Sequence, residues 1–561
     1  MPSAGALTIA TNPGAVAHST GGIDLTSAVI GSSVSLVLDT SGGATATDAG
    51  DIRLGDLGSS TTGVAGLSLD ARGTTSAGLL VVDDQTTGSP STWYVYSPTG
   101  SPRTLDLTKV GGVELLDDFS ILTPSGASPV TSVVFPTGAA TLNGNGHRLT
   151  VDVRGGALGD GNVQLPAHVG GSGSAALASL AVYTGTGTID LGDATTTGGV
   201  SVTVSPAVAG DELRLDGALR LFGDTTMTIN SGSAVVGPVV LRNVDGDSTA
   251  TPRDLTINAG AGAVSIDRVG SAAPGASGID AWTVTADTLH VPGTVNTQGA
   301  IDLRTSTSIA LDDDVDSHGR DILLQTNSLT LGGDLTSSTS GGVVTLRPAT
   351  GATSIGIGAS ATGTLQLTQA LLDKIGTSFS RVDIGYSGAP QQSGNVVVDS
   401  GTPGIAVTIS GNSLRVYGDA APAGITLNSA LATTGAGNSL ELFANSFGVS
   451  VAQTVTLSTQ SGQLSVHGAL RFNSGVTAAL DTVTAGGAGG AVSIDGDVLG
   501  NGATGVALSV VAGSGGVTIG DATTDKVDSP TSGQTFGGID IDSNGVITIN
   551  SSLDVAYAVI G

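Results

Sequence analysis

Apolar and polar residues alternate through residues 288–348, and the alternation recurs in three aligned copies. Residues 288–307 read TLHVPGTVNTQGAIDLRTST, residues 308–327 read SIALDDDVDSHGRDILLQTN, and residues 328–348 read SLTLGGDLTSSTSGGVVTLRP. The period is 20 residues, with two extra in the third copy. Leu289, Ile309 and Leu329 correspond, as do Val291, Leu311 and Leu331, and Val295, Val315 and Leu335. Further on, Ile301, Ile322 and Val344 correspond, then Leu303, Leu324 and Leu346. Alternation with period 2 is the pattern of strands with one buried face. Gly, Asp, Asn and Ser separate about three short strands per copy, which are turn signals. One copy cannot bury its apolar face alone, whereas stacked copies share a continuous core. Corresponding residues then lie one above another, Leu on Leu and Val on Val, at the strand spacing of about 4.8 Å.

The rest of the chain has the same texture with less regularity. Residues 51–54 (DIRL), 188–191 (TIDL), 264–266, 425–427, 492–494 and 547–549 are expected rung strands. A longer repeat is also present. Leu180-Ala181-Val182 followed by residues 188–196 (TIDLGDATT) recurs as Leu508-Ser509-Val510 followed by residues 516–524 (GVTIGDATT). Two stretches break the pattern. Residues 365–375 (LQLTQALLDKI) place Leu367, Leu371, Leu372 and Ile375 at helical spacing, so a short helix or loop is expected between rungs. Residues 83–103, with Trp93, Tyr94, Tyr96 and several prolines, read as a loop excursion or lateral insertion.

Composition agrees with an all-β chain. Gly numbers 88 of 561 residues, and only 12% of residues are charged while 39% are hydrophobic. Disordered chains show the reverse balance. Thr and Val suit strands, and the helix formers Glu, Lys, Gln, Arg and Met are scarce. The net charge is −28, from 19 basic and 47 acidic residues, which repels nucleic acid and anionic membranes. There is no Cys, which rules out disulfides and thiolate metal sites. No apolar run reaches the roughly 18 residues of a membrane-spanning helix, and the opening residues lack the pattern of a signal peptide. A mature or excised segment of an exported protein fits this composition.

Three passages carry a resemblance to a known family: residues 254–266 (DLTINAGAGAVSI) with 282–291 (WTVTADTLHV), the 20-residue run above, and residues 364–385 (TLQLTQALLDKIGTSFSRVDIG). In them the chain resembles the filamentous-haemagglutinin-like proteins, large repetitive bacterial surface exoproteins. The resemblance covers most of residues 105–561 in style. It implies a right-handed parallel β-helix, exposure outside the cell, and roles in adhesion or biofilm structure. The family's N-terminal secretion domain is not recognisable here.

Candidate chemistry is sparse. The six histidines, His18, His147, His168, His290, His318 and His467, are scattered, and no HExxH or Walker A pattern occurs. Residues 500–505 match G-x-G-x-x-G but run into a strand pattern, VALSVVAG, and not the helix a dinucleotide site needs. Asp312, Asp313, Asp314 and Asp316 are the most suggestive polar cluster, since carboxylates at this density can hold Ca²⁺. Their spacing fits neither an EF-hand nor the glycine-rich calcium nonapeptide, and a solvated turn is the simpler reading of them. Trp93, Tyr94 and Tyr96 are candidates for stacking on sugar rings, with Tyr94 and Tyr96 on one strand face, or else for a hydrophobic cap or the packing of a loop.

The expected fold is an all-β, right-handed parallel β-helix (β-solenoid) with rungs of about 20–22 residues and short loop or helix insertions. About 25 such rungs make a rod on the order of 120 Å. The expected divisions are a β-rich N-terminal segment (1–104), a solenoid (105–364), a short insertion (365–385) and a solenoid continuing to 561 with an uncapped end. The expected function is that of a non-enzymatic scaffold or adhesive stalk of a secreted or surface-exposed bacterial protein. The alternative is a carbohydrate-binding or polysaccharide-degrading β-helix protein. Expected partners are adjoining solenoid segments or like subunits end to end, with host or matrix glycans or surface proteins possible, and neither nucleic acid nor a membrane interior. No cofactor is expected apart from calcium at the Asp cluster.

Overall fold

Alternating Val, Leu, Ile and Thr with glycine-rich punctuation favours short strands whose apolar side chains all face one way. In the computed structural model those strands stack in parallel. It describes all residues except 1–5, 11–21, 27–34, 42–48, 59–63, 65, 74–76, 84–89, 97–102, 125–129, 138–139, 156–159, 172–174, 230–234, 272–277, 390, 419–423, 484–486, 501–505 and 530–535. Among the described residues the single helix is Gln369–Leu372, one turn long, and no helix is long and apolar enough to cross a membrane. The chain forms two compact units, Met1–Thr297 and Gln298–Gly561.

Each unit is a parallel β-solenoid. One rung of the second unit shows the plan: strands Leu440–Phe443, Val449–Val451 and Val455–Gln460 each join a different ladder, and Leu464–His467 returns to the first. Inward side chains form continuous columns. In the first unit one column runs Ile23, Ile52, Leu80, Val113, Leu142, Val169, Val202, Met227, Ile257, Val284. In the second unit another runs Leu303, Leu324, Leu346, Ile384, Val416, Leu442, Val466, Ile494, Ile519, Ile549. Nearly all of these side chains are buried, so each rung contributes core only by touching the rungs above and below it.

The correspondences read from residues 301–347 hold residue for residue: Ile301 pairs with Ile322 and Ile322 with Val344, Leu303 with Leu324 and Leu324 with Leu346, Ile309 with Leu329, and Val315 with Leu335. The rung length of 20–22 residues recurs only in places beyond this stretch, as between Val449 and Leu470. Leu440 pairs with Leu464, Leu464 with Val492, Val517 with Ile547 and Val344 with Val382, steps of 24, 28, 30 and 38 residues. Most of the added residues sit in the turns, where a longer loop costs little closure entropy, and the 38-residue step also holds the extra strand Leu365–Leu367 and the helix Gln369–Leu372. Fewer and longer rungs result than the expected 25: the ladder from Ile301–Leu311 to Ile547–Ile549 has ten strands.

Residues 83–103 are also corrected. Ser91–Tyr94 is a rung strand, paired in register with Phe119–Leu122, and the ladders run through residue 104 without a break, since Thr104–Asp106 pairs with Ser132–Val134. Trp93 points inward with no exposed surface, edge-on to Phe119 at 4.7 Å, and its indole N–H donates to the Gly55 carbonyl at 2.9 Å. The helical spacing in residues 365–375 resolves into a strand, Leu365–Leu367, followed by the one-turn helix, with Thr368 as its N-cap. The repeated GDATT segments make alike turns. Gly192 and Gly520 both take left-handed φ values, 78° and 81°, at the end of a rung strand, where a Cβ is disfavoured.

Candidate functional site

Aspartates at the corners account for much of the acidic excess. The Asp51 carboxylate accepts from the Leu79 backbone N–H, Asp118 from Arg148, Asp254 from Ala281, Asp321 from Val343 and Asp497 from Lys526, each reaching a neighbouring rung. These carboxylates staple one turn to the next through donors that a parallel ladder leaves unpaired at its ends. The Asp cluster belongs to this pattern. Asp314 accepts from the Asp334 N–H at 2.9 Å, and buried Asp316 accepts from the N–H groups of His318 and Ser338 at 2.8 and 3.0 Å. Asp313 accepts from the Asp314 N–H, while Asp312, Asp313 and Asp314 are solvent-exposed. Among the described residues no group of three or more His, Asp or Glu side chains converges on a point where a metal would sit.

The other sequence candidates are dispersed. Tyr94 and Tyr96 do share the outer face, but Trp93 lies in the core on the opposite side, so the three aromatics form no common platform. His168 contacts the Ser201 hydroxyl at 3.0 Å, His318 that of Ser338 at 2.7 Å, and His147 lies 3.7 Å from Asp118. His18 and residues 501–505 of the glycine motif lie outside the described residues.

The structure assembles an arrangement that the sequence reading missed. On the ladder from Ile301–Leu311 to Ile547–Ile549, outward side chains line up in one column: Arg304, Gln325 and Arg347, then, past Gly385, Tyr417, Phe443, His467 and Asp495. The far end of the column is closed. Tyr417 stacks on Phe443 at 4.8 Å and Phe443 on His467 at 4.3 Å, with His467 Nδ1 against the Asp495 carboxylate. Arg415 beside this stack is neutralised by Glu441 at 3.1 Å. The stacked rings stabilise the rungs, and both faces of Phe443 are taken by its neighbours.

The near end is open. A groove of about 720 Å³ is bordered by Arg304, Gln325, Arg347 and Tyr386 together with residues 349–352, 387–389, 391 and 393. Arg347 lies over the Tyr386 ring at 4.6 Å, and its Nε donates to Gln325 Oε1 at 3.0 Å. Gln325 in turn donates to the Ala349 carbonyl at 3.0 Å, and the Tyr386 hydroxyl donates to the Pro348 carbonyl at 2.8 Å. Burial pulls the Arg347 guanidinium below its ordinary range, and nearby Arg304 adds to that effect. Burial likewise raises the Tyr386 phenol. One sequence signal was present: Arg304, Gln325 and Arg347 occupy equivalent places in successive copies, the polar counterpart of the apolar columns.

No family model, curated protein or solved structure matches this chain. A second groove, of about 920 Å³, lies along Asp399, Asn428, Ser429, Gln453 and Thr454. Its one carboxylate accepts from the Gly401 N–H at 2.9 Å and holds its own turn, so the lining presents hydroxyls and amides without a strong anchor.

Proposed function

We propose that the chain is a scaffold segment of a secreted bacterial surface protein of the filamentous-haemagglutinin-like kind, a structural and adhesive element that extends by stacking rungs. The observation that carries this reading is the continuous stacking of parallel rungs, which holds through the last strands of the chain. The strands Ile547–Ile549, Ser552–Leu553 and Ala558–Ile560 each pair on one side only among the described residues. Apolar side chains of these strands are uncovered: Leu553 is 41% exposed, Val559 55% and Ile560 49%. Open parallel edges with bare apolar side chains template further strand pairing.

The occupant that fits is a further parallel rung, either of adjoining solenoid or of a second copy, and the second copy is the case that can be tested on this chain. Strand Ala6–Ala10 pairs only with Ser35–Asp39 among the described residues, so it too presents a parallel edge. Head-to-tail contact of this kind is heterologous and propagates as a fibre. The net charge of −28 opposes side-by-side packing far more than axial stacking. Negative-stain electron microscopy and sedimentation across a concentration series test the reading. Linear end-to-end chains are expected to grow with concentration and to be lost in Val559→Lys. Single particles at every concentration, or chains unaffected by that substitution, would sink it.

A further inference from the structure

We infer that the groove at Arg347 is a binding site for a carboxylated sugar unit, with the uronate carboxylate on the Arg347 guanidinium. The inference goes beyond the scaffold reading, which needs no ligand, and each can fail without the other.

Arg347 differs from most of the chain's sixteen arginines. Eleven of them, at positions 53, 72, 148, 154, 214, 220, 242, 253, 304, 381 and 415, pair with Asp or Glu. Arg347 has no carboxylate partner among the described residues, in a chain where acidic residues outnumber basic ones 47 to 19. Its only hydrogen bond among them is from Nε to Gln325, which leaves both terminal nitrogens as a free fork. That fork matches the two oxygens of a carboxylate. Tyr386 beneath the guanidinium and Gln325 beside it fix its plane, so little freedom is left to lose on binding.

The surroundings select a sugar over a bare anion. Arg304 is held bidentately by Asp302 at 2.7 and 2.8 Å, so that pair adds directed N–H donors without a second net charge. Thr350, Gln391 and Ser393 line the groove and offer hydroxyl and amide groups to ring hydroxyls. The wall is preorganised: Ser387 bridges to Gln391, and fully buried Gln392 donates to the carbonyls of Thr353 and Gly394 at 2.7 and 3.1 Å. A volume of about 720 Å³ lies in the range of ordinary small-ligand sites.

The test is titration calorimetry of the full chain at low ionic strength with unsulfated glucuronate oligosaccharides, neutral glucose oligosaccharides of equal length, and inorganic sulfate. The glucuronate oligomers are expected to bind and the neutral ones not. Arg347→Gln is expected to weaken binding by roughly tenfold or more, and Arg347→Lys to recover only part of it, because an ammonium lacks the fork. Arg220→Gln, in the other unit and already paired with Asp190, is expected to change nothing. Circular dichroism of each variant separates misfolding from lost binding, and Arg347→Lys retains the charge should Arg347→Gln fail to fold. Absence of glucuronate binding, equal binding of neutral oligomers, sulfate binding as tightly, or unchanged affinity in Arg347→Gln would each overturn the assignment.

Discussion

Leu442 sits mid-column in the second unit, fully buried between Val416 on one rung and Val466 on the next. Leu442→Ala deletes three carbons, worth about 2.4 kcal/mol at about 0.8 kcal/mol per buried methylene. The remaining cavity adds about 1 kcal/mol if the rungs close only partly, for a total near 3.5 kcal/mol, within the observed range for such changes. In a stacked solenoid that loss should stay local, because each rung touches only its neighbours. Hydrogen exchange measured by mass spectrometry on the intact chain reads this directly. Amides of Leu440–Phe443, and those of the flanking strands Ser413–Tyr417 and Leu464–His467, should lose protection by roughly a hundredfold or more, since each 1.4 kcal/mol is a factor of ten. Amides of strands in the first unit, such as Val200–Val204, should be unchanged. Uniform loss of protection across both units, or none at Leu464–His467, would refute the argument that the core is a sum of nearest-neighbour contacts.

Trp93→Ala removes an indole with no exposed surface together with its hydrogen bond to Gly55, and should destabilise the first unit by about 3–5 kcal/mol in urea titrations followed by circular dichroism. Trp93→Phe keeps most of the packing on Phe119 and should cost nearer 1 kcal/mol, the worth of one hydrogen bond. The chain's two tryptophans, Trp93 and Trp282, are both fully buried, so acrylamide should quench their fluorescence only after unfolding. The Asp160 carboxyl is held down to about 2 by the backbone N–H groups of Gly155 and Thr186 and by the Thr186 hydroxyl. A depressed folded-state value stabilises above the unfolded value of about 3.9 and is lost as pH falls through the folded one. Exchange of the Gly155 and Thr186 amides should therefore rise, relative to the intrinsic rate, between pH 4 and 2, and Asp160→Asn should abolish that pH dependence.

The amino-acid sequence by itself determined the kind of structure and, in one stretch, its register. Alternation is a local property of a strand, so it survives in the chain as text, and the repeat at residues 301–347 placed Ile301 over Ile322 and Ile309 over Leu329 correctly. The strands at residues 52–54, 425–427 and 492–494 were legible for the same reason. What only the tertiary structure decided was how far apart partners lie elsewhere. Register between rungs depends on turn length, and turns vary freely without disturbing the ladders, so Leu464 over Val492 leaves no fixed period to read. Trp93 was misplaced because its flanking prolines, glycines and serines resemble a loop, whereas burial against Phe119 outweighs that local preference. The Asp cluster resembled a ligand set because its staples to Asp334 and Ser338 join residues 20 and 22 positions apart. The column from Arg304 to Asp495 exists only once the rungs are stacked, since outward residues carry no hydrophobic signal and meet through a register set by the core behind them.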